Sequence, residues 1–301
     1  MSEPISFVRK MEFSYGLPQV LSPLIRRVMA QNPGPFTFHG TGTYIVGRGT
    51  VAIIDPGPLI EDHVKALLSA IAGERLSHIL ITHTHRDHSP AAAPLHQATG
   101  APVFAFCSQE EGWLTGDVEA GVDLDFKADH TVRSGDIFEG PGWTLEAIHT
   151  PGHMSNHLCF ALEEEQTLFS GDHVMGWSTT VIVPPDGNMS DYMTSLRTLM
   201  DRPEQVYRPT HGPAIEDPKA FVAALLAHRE ARNRQILGIL AKGSAGTGAI
   251  VSQAYEGLSE ALVPAARQTV LAHLIHLTER NLVRCSGIPN HKSVFSLAED
   301  N

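Results

Sequence analysis

The stretch Thr82-His83-Thr84-His85-Arg86-Asp87-His88 constrains this chain more than any other, because it crowds three histidines and a carboxylate into seven residues. Neutral imidazole and carboxylate are donors that a borderline divalent cation accepts readily. The run Ser77-His78-Ile79-Leu80-Ile81-Thr82 in front of it is short, apolar and β-rich, so it reads as a buried strand. Ser89-Pro90 follows, the pattern of an N-cap and a proline at the first helical position. The cluster is therefore expected on a loop leaving a strand end, where α/β proteins keep their chemistry.

One turn cannot close such a site, and further donors recur later in the chain. His153 lies in Thr150-Pro151-Gly152-His153 after the run from Leu145 to His149, and Asp172 lies in Ser170-Gly171-Asp172-His173 after Thr167-Leu168-Phe169. His211 lies in Pro209-Thr210-His211-Gly212 after Val206-Tyr207. Each sits beside Gly or Pro, as a ligand at a sharp strand exit would. In these four blocks, and in their order, the chain resembles the metallo-β-lactamase superfamily. A lone HxHxDH would be weak, and the agreement of separated blocks makes the resemblance specific.

The resemblance implies an α/β fold, an αββα sandwich of two sheets between helices. It also implies two Zn2+ per chain, with iron or manganese as other metals that such donors accept. His83, His85 and His153 would hold one ion, Asp87, His88 and His211 the other, and Asp172 would bridge them. The catalytic roles fall to Asp172, which sets the spacing, and to Asp87, which orients the nucleophile or takes its proton. A serine nucleophile is not needed, and no G-x-S-x-G is present. His78, His149, His157 and His173 read as packing residues around the site rather than ligands. Asp55, which ends the run Val51-Ala52-Ile53-Ile54, reads either as a turn residue or as a carboxylate that orients a ligand histidine, and the resemblance favours the second, since superfamily members often carry an aspartate there.

The chain has 301 residues, 42% of them hydrophobic, enough for a large core and, by length, two domains. Its 3 cysteines, Cys107, Cys159 and Cys285, form no CxxC pair and fall in no ligand block, which fits a reducing compartment. The first residues show no basic segment followed by an apolar one, and no run approaches ~18 apolar residues, so a soluble cytoplasmic protein without a membrane span is expected. The net charge of −11 argues against a broad polyanion-binding surface.

In chain order, Thr43–Gly47 and Val51–Asp55 form an expected hairpin, and Ser22–Val28 reads as either a strand or a turn of helix. Glu61 to Ala72 has one apolar helical face, with Gly73 as its cap. A helix from Pro90 to Thr99 and a strand at Pro102–Phe106 follow. The acidic stretch from Ser108 to Ser134 is irregular and is placed as a cover for the site. Strands are expected at Trp143–His149, His157–Leu162 and Thr167–Ser170, and a helix at Ser190–Met200 capped by Ser190 or Asp191.

From Pro218 the pattern turns helical, so the division is a catalytic domain at 1–217 and a winged-helix-like domain at 218–301. Its helices are Phe221–Leu240, Ala249–Tyr255 and Pro264–Asn281, the last with Gln268, His273 and Glu279 expected in water. Leu282–Cys285 and Ser293–Leu297 bracket a hairpin.

The resemblance narrows to lactamase-β-like hydrolases with a C-terminal winged helix. It is carried by Asn32 through Tyr44, by Gly171-Asp172 through Val181, and by His228-Arg229 through Leu237. Gly42 stands where relatives often have Asn, and Ser89-Pro90-Ala91-Ala92 where the superfamily usually has a Gly pair. That group includes a mitochondrial single-strand endoribonuclease and fungal polyketide thioesterases. The leading expectation is a hydrolase of a small ester, thioester or lactone. A phosphodiesterase acting on single-stranded RNA is the alternative, which the acidic chain disfavours. A DNA-binding regulator with a non-catalytic metal site is the third. The hairpin's Arg284, His291 and Lys292 are a thin basic set, so packing, homodimer contact or a pocket lid ranks above nucleic-acid recognition for this region.

Overall fold

The structure, a computed structural model, describes residues 5–106, 121–255 and 257–298. Two sheets face one another. The first is seven-stranded, ordered β1 (Gln19–Val20), β2 (Ile25–Met29), β3 (Gly42–Arg48), β4 (Thr50–Ile54), β5 (Arg75–Leu80), β6 (Val103–Ala105) and β7 (His130–Thr131). The second runs β12 (Val206–Pro209), β11 (Thr167–Gly171), β10 (Leu158–Leu162), β9 (Trp143–His149) and β8 (Ile137–Gly140).

Alternation along the strands explains the layering. In β3, Tyr44 and Val46 point between the sheets, where they meet Phe160, Leu162 and Phe169, while Ile45 turns outward. There Ile45, Ile53 and Ile79 pack against Leu67 of α1 (Glu61–Ala70) and Leu95 of α2 (Ala92–Thr99). On the other outer face, Ile148, Cys159 and Leu168 pack under α3 (Met189–Met200) and the start of α4 (Pro218–Leu240). Helix, sheet, sheet, helix is the expected αββα order.

Beyond the sandwich, α4, α5 (Thr247–Ala254) and α6 (Val263–Glu279) enclose a separate apolar cluster with Val283 of β14 (Val283–Cys285) and Phe295 of β15 (Val294–Leu297). A short β13 (Ala245–Gly246) adds a third strand beside β15. Helices followed by a small hairpin form the expected winged-helix pattern. Helix α4 belongs to both parts: Val222 and Leu225 lie in the sandwich's outer cluster, and Ile236, Ile239 and Leu240 in the terminal one.

Local differences have local causes. Ser22–Val28 divides: Ser22 to Leu24 bend, and the strand β2 begins at Ile25. The helix after Ser89 begins with Ala91 at its cap, because the Ser89 hydroxyl turns to Asp123 Oδ2 at 2.8 Å instead of capping. Helix α1 ends at Ala70, before Gly73. Helix α3 is capped by Asn188, whose side chain accepts from the amides of Ser190 and Asp191. His273, expected in water, is fully buried, since its Nδ1 meets Asn233 Oδ1 of α4 at 2.8 Å. Of the acidic stretch placed over the site, residues 108–120 lie outside the described residues, as does Cys107.

Candidate metal centre

The site forms where strands of both sheets end. β4 and β5 run parallel, as do β11 and β12, so their C-terminal ends open on the same side of the sandwich. β5 delivers the segment from Thr82 to His88, β9 the turn to His153, β11 the turn to Asp172 and β12 the turn to His211. Two glycines make these exits. Gly152 has φ 140°, and a Cβ there would meet the Tyr192 backbone at 2.3 Å. Gly171 has φ 51°, and a Cβ would strike His157 Nε2 at 2.5 Å.

All seven residues singled out from the sequence converge. Their donor atoms form overlapping triplets within 4.8 Å: His83, His85 and His153; His83, His88 and Asp172; and Asp87, His88 and His211. His85 Nδ1 lies 2.9 Å from His83 Nε2 and 3.1 Å from His153 Nε2. His211 Nε2 is 3.0 Å from Asp87 Oδ2 and 3.5 Å from Asp172 Oδ1, and His88 Nε2 is 3.6 Å from Asp172 Oδ2. With its Oδ2 also 3.9 Å from His153 Nε2, Asp172 touches the neighbourhoods of both outer triplets.

The far nitrogens of the imidazoles show that this crowding suits a cation. His153 Nδ1 faces Val181 O at 2.8 Å and His211 Nδ1 faces Gly40 O at 3.1 Å. His88 Nδ1 faces Asp55 Oδ2 at 2.8 Å. His83 Nδ1 faces Thr82 Oγ1 at 3.0 Å, and that hydroxyl already gives its own proton to Asp55. Each partner accepts, so each Nδ1 carries the hydrogen and each Nε2 turns a lone pair inward. Four rings held in that tautomer, aimed at one volume, are what a metal site requires. Nε2 of His88, Nε2 of His211 and Oδ1 of Asp172 are buried and make no well-aligned hydrogen bond among the described residues.

Charge follows the same division. Burial, then the neighbouring imidazoles, holds His83 well below the usual histidine range, so it is neutral. Burial also disfavours charge on His88 and His211, but the adjacent carboxylates outweigh it and raise both. Asp87 and Asp172 are held below the carboxylate range against the burial that opposes this, by His88 and His211. Without a cation, protons on the histidines balance the carboxylates. A divalent ion can replace them, so the donor set fits such an ion.

Asp55 anchors this arrangement. It is fully buried at φ 49°, a left-handed conformation that Asp tolerates. Its carboxylate accepts from Thr82 N at 2.8 Å, Thr82 Oγ1 at 2.7 Å, Thr210 Oγ1 at 2.8 Å and His88 Nδ1. The histidines read as packing residues do pack. His157 is buried, with Nδ1 on Thr150 Oγ1 at 2.9 Å and Nε2 accepting from the Asp172 amide at 3.2 Å. His78 sits among Phe104, Phe138 and Trp143, and His149 stacks on Phe106. His173 is buried against Tyr192.

Sequence reasoning passed over Thr82, Thr210 and Thr180, which hold the ligands' supports. A usable signal was present: the pair Thr-His recurs at Thr82-His83, Thr84-His85 and Thr210-His211. It also passed over an aromatic wall. Phe38 stacks on Trp177 at 4.9 Å, and Trp177 packs so near Gly212 that a Cβ there would meet it at 2.7 Å. This places the pair beside His211.

Comparison with known proteins agrees with this geometry. Residues 37–211 match the model of the metallo-beta-lactamase superfamily, and residues 247–288 that of the beta-lactamase associated winged helix domain. An atrochrysone carboxyl ACP thioesterase of Cryptosporiopsis sp. (strain 8999) is 34% identical over 225 residues, 73% of this chain and 64% of the relative's length. A lactamase-like protein of Aspergillus niger is 31% identical over 301 residues, covering 93% of this chain and 89% of its own. The fold is shared with a beta-lactamase domain protein from Burkholderia ambifaria, with TM-score 0.78, 19% identity and coverage of 96% and 95%. A metallo-beta-lactamase family protein from Thermus thermophilus gives TM-score 0.74 and 23% identity over 92% of this chain and 100% of that one. No helix among the described residues is long and apolar enough to cross a membrane. With the family match spanning more than half the chain, this protein belongs to the metallo-beta-lactamase superfamily.

Proposed function

We propose that the chain is a dinuclear zinc hydrolase of a small acyl substrate, an ester, lactone or, foremost, a thioester. The observation that carries this reading is the set of inward-facing Nε2 atoms on His83, His88, His153 and His211, each fixed by an acceptor behind its ring. His83, His85 and His153 would hold one ion and Asp87, His88 and His211 the second, with Asp172 placed to serve both sets. When bound, such a pair supplies a nucleophile from water at neutral pH and polarises the carbonyl that is attacked.

The chain's own residues do the rest. Asp172 fixes the spacing, since its Oδ2 lies 3.9 Å from His153 Nε2 of one set and its Oδ1 3.5 Å from His211 Nε2 of the other. Asp87 is the most open of the set, its side chain 27% exposed, so it can accept the nucleophile's proton and pass it toward the leaving group. The Phe38–Trp177 stack offers an apolar surface beside His211 on which an acyl group can lie. The thioesterase name of the Cryptosporiopsis relative supports a thioester.

The test is metal analysis followed by a panel of ester, thioester, lactone, phosphodiester and β-lactam substrates, each with and without chelator. The expected result is close to two ions per chain and zinc-restorable turnover of acyl substrates, with thioesters fastest. At most one ion under saturating zinc overturns the dinuclear assignment. Turnover confined to RNA overturns the acyl one.

A further inference from the structure

We infer that Arg229, on the helix that begins the C-terminal region, is a positioning residue for the metal centre. The inference rests on the metal-site reading above. Arg229 is 2% exposed, and among the described residues no carboxylate pairs with it. A guanidinium cannot shed its charge, so such burial costs stability unless its contacts matter.

Those contacts all lead into one loop. Its Nη2 donates to Thr180 O, and its guanidinium lies 5.1 Å above the Tyr192 ring. The Thr180 hydroxyl reaches Asp172 O at 2.7 Å and His173 O at 3.1 Å, and Tyr192 Oη donates to His173 O at 3.1 Å. The next residue, Val181, supplies the carbonyl that fixes the His153 ring at 2.8 Å. The two-residue unit Thr180-Val181 therefore carries the support of both Asp172 and His153. Arg229 clamps that unit from outside the sandwich. Arg232, one turn further along α4, makes a different set of contacts. It lies over Tyr255 at 3.9 Å and donates to Ala254 O, within the C-terminal region.

The experiment compares wild type, Arg229→Met, Arg229→Lys and Arg232→Met. Zinc affinity is read by competition with a chromophoric chelator, the unfolding of the metal-free protein by heating, and kcat and KM on one acyl substrate. Supports behind metal ligands typically set about 10–100-fold in affinity. Arg229→Met is expected to weaken zinc binding by about that factor and to lower kcat while KM stays within about two-fold. Arg229→Lys should recover most of the affinity, because an ammonium can still donate to Thr180 O. Arg232→Met should bind zinc as wild type does. If Arg229→Met fails to fold, Thr180→Val should show the same loss of affinity and Thr180→Ser should not. Wild-type zinc affinity in Arg229→Met or in Thr180→Val overturns the inference, even if the metal-free protein melts lower. So does an equal loss in Arg232→Met. A wild-type protein that binds no zinc instead removes the metal-site reading itself, and the inference falls with it.

Discussion

Replacing Asp55 by Asn tests whether the metal centre is organised from behind. The side chains are the same shape, but Asn offers one accepting oxygen and one donating amide. Asp55 Oδ2 takes Thr82 Oγ1, Thr210 Oγ1 and His88 Nδ1, while Oδ1 takes the Thr82 amide. If the Asn oxygen serves the three side chains, its NH2 faces the Thr82 N–H and leaves a buried donor unpaired. If it is flipped, three donors lose their acceptor. A hydrogen bond to a charged group is worth about 1.5–3 kcal/mol and a stranded buried donor costs about 1–3 kcal/mol. The metal-free protein should lose roughly 3 kcal/mol even in the better orientation. Zinc affinity should fall by about 10–100-fold, because the acceptor behind His88 and, through Thr82, behind His83 loses its charge and holds their tautomer less firmly. Denaturant unfolding with chelator present measures the first, and a competition titration the second. Stability within ~0.5 kcal/mol of wild type, together with unchanged zinc affinity, would refute the reasoning.

Other expectations follow from the same contacts. Asp172→Asn should cut turnover of any true substrate by about 100-fold or more with zinc in excess, whereas His157→Asn should cost much less; the reverse ranking would mean the ligands are misassigned. Burial pushes the His63 imidazole down to about 4 and His173 to about 3, so between pH ~6.5 and 4 the unfolded chain takes up protons that the folded one refuses. The metal-free protein should therefore lose stability as pH falls through that window. His88 and His211, whose pKa values are raised, act in the opposite sense at higher pH. His63→Gln should flatten the acid slope, and a denaturation midpoint that stays level from pH ~6.5 to ~4.5 would contradict this. We place the domain boundary near residue 217, but Val222, Leu225 and Arg229 pack on the sandwich side of α4. A 218–301 fragment should fold only with those residues exposed, and substituting Val222 and Leu225 by polar residues should improve its solubility. Circular dichroism of both fragments decides it.

The seven converging donors were legible because their chemistry is written in short blocks: a donor, a strand exit, and Gly or Pro. The sandwich was legible because its strands are apolar and long. Of the supports only Asp55, at the end of an apolar run, was legible; Thr82 and Thr210 reach its carboxylate only after three strands, β4, β5 and β12, from both sheets assemble. Arg229 lies 57 positions after Asp172 in the chain, and nothing local marks it as different from Arg232 or Arg234. His273 escaped for a related reason. Helix α6 is covered on several sides, by α3, α4 and α5, so a polar residue off its main apolar stripe is still buried. The shortest strands, β1, β7 and β13, carry too few residues for any period to register.

The parallel pairing of β4 with β5 and of β11 with β12 has a practical consequence for handling the protein. If every functional side chain leaves one rim, the opposite rim is free for attachment. The β3–β4 turn at Gly49 lies there, and five residues of β4 at ~3.3 Å each hold it about 17 Å from Asp55. A Cβ at Gly49 would meet nothing within 4 Å, but its φ of 73° favours glycine, so added residues belong beside Gly49 rather than in its place. A short flexible tether inserted at that turn would fix the molecule to a surface with its open rim toward solution. A fluorophore placed there would report on binding from a constant distance without standing in the substrate's way.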